Sequence, residues 1–196
     1  MKSKYTRKDI ITLPNPNLRR RSNKVHVITD ETMQLIDDML AATLDWEASR
    51  PHEIAVALAA VQINRHERVI IIREDFEDKE NKSFITLINP EIVKREGKIV
   101  TEQEGCLSVS DVYGMVPRHE KVRVRALDID GNEVRIKSPS PFIARILQHE
   151  IDHCNGKCFV DHIAKQKDAF YVLTGAGDLE PVKYEKVASM GILLDE

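Results

Sequence analysis

Two histidines one helical turn apart are the strongest chemical signal in this sequence. His149 and His153 belong to the run His149-Glu150-Ile151-Asp152-His153. At about 100° per residue, a spacing of four puts both imidazoles on one face of a helix. Such a pair can hold one divalent metal ion, with the intervening glutamate beside it as general base. We therefore predict a catalytic metal site here, with two unrelated surface histidines as the alternative.

A catalytic metal site also needs a third protein ligand and an open coordination position. Cys154 and Cys158 are close in sequence, but a continuing helix turns them about 140° and about 180° away from His149. We interpret these two cysteines as small core residues. Cys106, next to a glycine in another segment, is the best remaining candidate. His162, or an acidic residue elsewhere, stays open as an alternative.

Composition excludes several classes of protein. The 196 residues include 29 Lys and Arg against 32 Asp and Glu, a net charge of −3, which disfavours a general nucleic-acid binder. The sequence contains no apolar run of about 18 residues, so no membrane span is predicted. The first residues also lack the apolar stretch of a secretory signal. The odd cysteine count favours a reducing compartment. The basic run Arg19–Arg21 is interpreted as a solvated turn rather than an anion-binding patch.

Two helices and several strands must position the candidate ligands. Apolar residues at steps of three and four predict a helix over 30–46, capped by Thr29 or Asp30, and a second helix from Ser140-Pro141 to about Gly156. The segment 54–63 is apolar and rich in alanine, so its type stays open between helix and strand. Strands are predicted at 68–73, 84–88, 112–116, and in a hairpin that pairs 122–126 with 134–136. This order of elements predicts an α+β fold.

Three segments resemble the signature motifs of the peptide deformylases. They are Ala55-Val56-Ala57-Leu58-Ala59-Ala60-Val61-Gln62, Glu104-Gly105-Cys106-Leu107-Ser108 and Gln148-His149-Glu150-Ile151-Asp152-His153. Val116-Pro117-Arg118 and a charged hairpin lie between the second and third, as in that family. The resemblance covers about residues 10 to 165, and the joint match in this order is far more specific than the paired histidines alone.

The resemblance implies a fold, an activity and a cellular setting. The fold would be α+β, with antiparallel sheets surrounding a central helix that carries the metal motif. One domain would span 1–196, with a core at about 10–165 and a variable C-terminal tail at 174–196. The enzyme would remove the N-formyl group from the N-terminal formylmethionine of nascent polypeptides and release formate. Its partners would be formylmethionyl peptides and nascent chains at the ribosome, in a bacterial-type cytoplasm, with no membrane and no sequence-specific nucleic acid.

The resemblance also implies a role for each matching residue. Cys106, His149 and His153 would hold one divalent metal ion, Fe(II) in the cell, with Zn(II), Ni(II) or Co(II) possible in a purified sample. Glu150 would move the proton. The side chain of Gln62 and the backbone N–H of Leu107 would stabilise the oxyanion. Glu104 and Arg118 would form a structural ion pair near the site.

The resemblance further implies how the substrate binds. An extended peptide would lie along Ala55, Val56 and Ala57, making strand-like backbone bonds. The methionine side chain would enter an apolar pocket that includes Val56, Phe142 and Ile146. Taken individually, each of these residues is better explained as part of the core.

Several positions depart from the family pattern. Ala55 and Ala57 stand where the family carries glycines, and Ser110 replaces a common proline. Arg145 lies one turn before His149, where an apolar residue is more usual. We expect its charge to extend to solvent, with a charge at the pocket rim as the alternative. The tail from 174 reads as a short strand or loose segment rather than a long helix.

Three other functions remain open at this level. A related amidohydrolase with a different N-acyl substrate would account for the two alanines and Arg145. A metalloprotease would account for the paired histidines, but not for Cys106 or Gln62. A catalytically weak protein that binds peptide N-termini at the ribosome would bind formylated peptides without turnover.

Overall fold

Seven antiparallel strands and four α-helices make up the computed structural model, which describes residues 3–50, 53–174 and 177–194. The strands are β1 Ala57–Ala59, β2 Val69–Arg73, β3 Phe84–Cys106, β4 Val109–Leu127, β5 Glu133–Lys137, β6 Phe170–Leu173 and β7 Leu179–Pro181. The helices are α1 Asp30–Ala48, α2 Pro141–Cys154, α3 Phe159–His162 and α4 Tyr184–Ser189. The strand order is β1-β2-β3-β4-β6-β7, and β5 pairs separately with β4. The α+β class is therefore confirmed.

A hairpin of two long strands, β3 and β4, joins all the strands into one sheet. The strand predicted at 84–88 is too short, because β3 continues through Asn89-Pro90 to Cys106. Asn89 takes a positive φ of 54° and the register shifts between Ile88 and Glu91, so this turn-like dipeptide makes a bulge. Further register shifts bend the hairpin. The expected separate sheets are thus parts of one continuous sheet.

The alanine-rich segment 54–63 forms a short strand and one turn of 3₁₀-helix, Ala60–Ile63. Ala57 pairs with Ile72 and Ala59 with Ile70, and every residue of 57–63 is buried. Pairing with the buried strand β2 outweighs the helical preference of alanine. This segment also leaves β1 at one edge of the sheet.

Helix α1 covers one face of the sheet. It begins after Thr29, as predicted, and ends at Ala48, two residues later than predicted. Leu35, Met39 and Ala42 are fully buried and pack in one cluster with β1 and β2.

Helix α2 carries the paired histidines through the core. Ser140 caps its N-terminus by accepting a hydrogen bond from the N–H of Ile143 at 3.2 Å, and Pro141 occupies the first turn, as predicted. Ten of its fourteen residues are buried, and it contacts β1, β2, β3 and β4. Such burial on several faces fixes the helix against movement relative to the sheet.

The C-terminal tail contains the short strand β7 and the six-residue helix α4. Within residues 177–194 there is no long helix, in agreement with the sequence-based prediction, while Gly175 lies outside the described residues. Val187 and Ile192 are buried and pack in one cluster with Phe170 of β6. Among the described residues, no helix combines the length and apolar character needed to cross a bilayer.

Candidate metal centre

The end of β3 and one face of α2 bring three metal-ligating side chains together. The ligand atoms of Cys106, His149 and His153 all lie within 4.8 Å of one another, and Cys106 Sγ lies 3.2 Å from His153 Nε2. The two imidazole rings are 4.9 Å apart between centroids. A sulfur and two nitrogens are a donor set for a first-row transition metal such as iron or zinc. The predicted ligand residues are therefore neighbours in space.

The tight turn between β3 and β4 fixes the position of the cysteine. Cys106 pairs with Val109, and the N–H of Ser108 donates to Cys106 Sγ at 3.4 Å. Gly105 allows this turn to pack closely, since a Cβ there would lie 2.4 Å from the ring of Tyr113. A side chain at position 105 would push that ring, and with it the turn, out of place.

A buried carboxylate orients the first histidine. Glu104 Oε2 accepts a hydrogen bond from His149 Nδ1 at 2.9 Å, which leaves His149 Nε2 to face a metal. Arg118 donates to both oxygens of Glu104, at 2.9 and 3.0 Å, so the predicted ion pair is present. Burial alone would raise the pKa of Glu104, but its bonds to His149 and Arg118 hold that pKa well below its usual range. The carboxylate is thus ionised beside this candidate metal ligand.

Arg145 is a second guanidinium on the same carboxylate, and the expectation that it extends to solvent is wrong. It is 5% exposed and donates to Glu104 Oε1 at 2.7 Å. It also donates to the carbonyls of Val116 and Val100, both at 2.8 Å. The spacing to His149 put Arg145 on the metal side of α2, but its acceptors come from β3 and β4, which no local pattern could identify.

Glu150 is buried beside the three ligands, and its Oε2 has no hydrogen-bond partner among the described residues. Burial raises the pKa of Glu150 to about 7. Burial also lowers the pKa of His153, with a further contribution from His149, and so keeps His153 in the neutral form that binds metals. An unpartnered carboxylate oxygen next to a Cys/His/His donor set fits a centre that holds a metal ion and a water molecule.

Gln62 reaches the cysteine from the other side of the site. Its Nε2 lies 3.5 Å from Cys106 Sγ and donates to Ser108 Oγ at 3.1 Å, while its Oε1 accepts from the N–H of Ala59 at 2.8 Å. The N–H of Leu107, in the turn, has no acceptor within the described part of the chain. Two N–H donors therefore lie beside the metal ligands.

The other histidine and cysteines considered from the sequence lie away from the centre. His162 bonds to Asp152 at 2.7 Å, and Asp152 also binds Arg118. Cys154 and Cys158 are fully buried free thiols in the apolar clusters, as predicted, and burial raises the pKa of both. Within the described residues, Cys106 is the cysteine of the metal-ligand group.

A cavity of about 130 Å³ opens beside the centre. Its lining includes four of the predicted substrate-binding residues, Val56, Ala57, Phe142 and Ile146. The charged Glu104 and Arg145 also line it, so for Arg145 the alternative expectation of a charge at the pocket agrees with the structure. Ala55 lies outside this lining, because its N–H donates to Glu47 at 2.9 Å and its carbonyl accepts from Arg73 at 3.2 Å. A wider groove of about 560 Å³ shares Val56, Cys106 and Leu107 with the cavity and continues past Trp46 and Tyr113.

Comparisons with known proteins agree with this geometry. The family model described as polypeptide deformylase matches residues 7–169. Peptide deformylase of Thermomicrobium roseum is 41% identical over 166 residues, which covers 83% of this chain and 89% of that protein. Peptide deformylase 2 of Vibrio parahaemolyticus is 42% identical over 164 residues, covering 82% and 90%.

Solved structures give the same assignment. The crystal structure of a peptide deformylase from Synechococcus elongatus in complex with actinonin superposes with a TM-score of 0.72 at 34% identity, covering 80% of each chain. A probable peptide deformylase from Synechococcus phage S-SSM7 gives a TM-score of 0.69 at 34% identity, covering 78% of this chain and 97% of that one. The chain therefore belongs to the polypeptide deformylase family, the metal-dependent hydrolases that remove the formyl group from the N-terminal formylmethionine of nascent polypeptides.

Proposed function

We propose that Cys106, His149 and His153 hold the single divalent metal ion of this hydrolase, and that the ion is Fe(II) in the cell. One thiolate and two imidazoles also suit Zn(II), Ni(II) or Co(II), which a purified sample can acquire. When bound, the metal lowers the pKa of a water molecule to near neutrality. The ionised Glu104 supports this role by fixing the ring of His149 through a 2.9 Å hydrogen bond.

Glu150 is the proton carrier in this proposal. A carboxyl group with a pKa of about 7 can accept a proton near neutral pH and return it within the same turnover. Its unpartnered Oε2 takes the proton from the attacking water, then delivers it to the nitrogen of the departing amine. Burial of this side chain supports the assignment, since it keeps bulk water from competing for the proton.

Gln62 and Leu107 stabilise the negative charge that develops on the formyl oxygen. The side-chain amide of Gln62 and the backbone N–H of Leu107 both lie next to Cys106, so an oxygen near the metal can accept hydrogen bonds from both. Neither donor needs to move during the reaction, because the bond from Ala59 to Gln62 and the tight turn at Leu107 hold them in place.

The edge strand β1 supplies the binding surface for the peptide. Its free edge can pair with an extended substrate, as in other cases of strand addition. The methionine side chain enters the cavity lined by Val56, Ala57, Phe142 and Ile146, and the following residues lie in the wider groove. Ala55 acts indirectly, since its backbone groups already bind Glu47 and Arg73 and so hold the start of β1.

The cellular setting follows from the substrate. Formylmethionine stands at the start of new chains, so the substrate is a formylmethionyl peptide or a nascent chain leaving a ribosome. We place the enzyme in a bacterial-type cytoplasm, where Cys106 stays reduced and bound to metal. An iron-bound thiolate in an open site is otherwise exposed to oxidation.

The observation that carries this proposal is the convergence of three ligand atoms within 4.8 Å beside the buried, unpartnered Glu150. The test is formate release from a formyl-Met peptide by anaerobically prepared, Fe(II)-loaded protein. We expect Glu150→Gln to lower kcat by about 100-fold or more without loss of metal. Exposed Glu133→Gln serves as the matched control, and equal activity of the two variants would contradict the assignment.

Metal content tests the ligand set independently of activity. We expect Cys106→Ser to abolish metal retention after dialysis, while Cys154→Ser and Cys158→Ser keep the metal. Retention of one equivalent of metal by a folded Cys106→Ser protein would overturn the ligand set. Absence of formate release by the folded, metal-loaded wild-type protein would overturn the proposed activity.

A further inference from the structure

A second cavity lies on the side of α2 that faces away from the metal. Ile151 lines this cavity, and it sits about 200° around the helix from His149. The volume is about 270 Å³. Four basic residues from three separate segments line it, namely Arg21, Lys24, Arg68 and Arg95. Such a concentration of positive charge is notable in a chain whose net charge is −3.

Arg68 forms the inner wall of the cavity and still has hydrogen-bond donors to spare. It is 7% exposed, its Nε donates to the carbonyl of Pro90 at 2.9 Å, and its Nη1 donates to the carbonyl of Cys154 and to Asn155 Oδ1. Its Nη2 has no acceptor among the described residues. The three protein bonds hold the guanidinium rigidly, with one edge left for a ligand.

Ser22 anchors the segment that carries Arg21 and Lys24. It is 7% exposed, and its buried hydroxyl lies against the buried thiol of Cys154. The backbone is fixed there, because the N–H of Ser22 donates to the carbonyl of Cys154 at 2.9 Å. This bond ties the segment to the end of α2, so the two basic side chains start from a fixed backbone.

The cavity has an excess of positive charge, with four basic side chains against one carboxylate, which lies near Lys24 and Arg68. Among the described lining residues, Glu91 is the one carboxylate, and Arg125 from outside the lining already binds it at 3.0 Å. Arg21, Lys24 and Arg95 form no salt bridge with a described residue. Arg19, their neighbour in sequence, instead forms a salt bridge with Asp161. Within the basic run, Arg19 is thus used for an internal contact, whereas Arg21 lines the cavity.

We propose that this cavity binds a dianionic phosphate group, either inorganic phosphate or the terminal phosphate of a small organic phosphate. Guanidinium and ammonium groups around a concave surface match the charge and the oxygen positions of a phosphate. The volume lies below the range of drug-sized ligand sites, so it suits the phosphate group with little else attached. A terminal phosphate carries about two charges and can enter, whereas a backbone phosphodiester carries one and is flanked by sugars.

Calorimetric titration of the full-length, metal-loaded protein tests the proposal. The titrants are inorganic phosphate, glycerol phosphate and an RNA oligonucleotide with a 5′-hydroxyl end, with potassium acetate at equal ionic strength as the control salt. We expect saturable one-to-one binding of the two phosphates and none of acetate. Lys24→Ser and Arg95→Gln change exposed residues, so both variants should fold, and each should weaken phosphate binding about tenfold.

A matched variant separates the cavity from the general charge of the protein. Lys82 is exposed and does not line the cavity, so Lys82→Ser should bind phosphate as the wild type does. Phosphate binding that persists unchanged in both Lys24→Ser and Arg95→Gln would place the anion elsewhere, for example at the metal, and would overturn the proposal. So would the absence of saturable binding, or Lys24-dependent binding of the RNA alone.

Discussion

Replacing Glu104 by glutamine removes the charge that links His149, a proposed metal ligand, to two buried arginines. The carboxylate accepts four hydrogen bonds, two from Arg118 at 2.9 and 3.0 Å, one from Arg145 at 2.7 Å and one from His149 at 2.9 Å. Glutamine keeps the shape but turns an amide group toward donors. Arg118 retains Asp152, whereas Arg145 retains only the half-exposed Glu102 and backbone carbonyls.

The magnitude follows from this loss of charge balance. Removing one partner of a buried ion pair costs about 3–5 kcal/mol, because it leaves the other charge uncompensated. We therefore expect Glu104→Gln to lower the free energy of unfolding by about that amount. Loss of the bond that orients His149 should also weaken metal affinity by about 10- to 100-fold. Urea unfolding of the apoprotein measures the first effect, and competition with a metal chelator measures the second.

A neighbouring glutamate provides the control. Glu102 lies two residues earlier on β3, its side chain is 51% exposed, and it contacts Arg145 at 3.3 Å. Glu102 is half exposed, and Arg145 keeps Glu104 and two backbone carbonyls, so Glu102→Gln should barely change stability or metal affinity. Equal losses of stability in both variants would contradict the role of the buried Glu104 charge. Wild-type metal affinity in Glu104→Gln would contradict its role in orienting His149.

Three further predictions concern the cysteines, the turn at Gly105 and the N-terminus of α2. Removing the metal with a chelator should make half-buried Cys106 the first thiol alkylated by iodoacetamide, while Cys158 stays unmodified because burial raises its pKa; mass spectrometry of digested peptides measures the order. Gly105→Ala should destabilise the protein by about 1–3 kcal/mol, since its Cβ would meet the ring of Tyr113, and Tyr113→Ala should relieve part of that cost in a double-mutant cycle. Ser140→Ala should cost about 1 kcal/mol in thermal unfolding by removing the cap of α2, whereas an unchanged melting temperature would contradict the capping role.

The local sequence predicted the two long helices and the candidate metal ligands. Thr29 and Ser140 are hydrogen-bonding residues directly before segments with helical apolar periodicity. The residues of the first turn are therefore enough to predict where α1 and α2 begin. The spacing of His149 and His153 places both rings on one face of any helix. The same angular argument separates Cys154 from the site without knowledge of the fold.

Long-range pairing decided what the local sequence left open or suggested wrongly. Asn89-Pro90 resembles the end of a strand, but pairing of β3 with β4 on both sides turns it into a bulge. The alanine-rich segment before Gln62 is a strand because β2 lies beside it. In both places the partner strand comes from a distant part of the chain, so a local window does not contain the deciding interaction.

The charge network around the metal is the clearest case of a property that only the tertiary structure decided. The sequence shows that Arg145 is on the metal side of α2, but an isolated helix would let so long a side chain reach water. In the folded protein β3 and β4 surround it with Glu104 and two backbone carbonyls, and these acceptors compensate a buried charge. The two candidate histidine ligands thus follow from residue type and helical spacing, whereas the burial and ionisation of the groups around them depend on strands that meet only on folding.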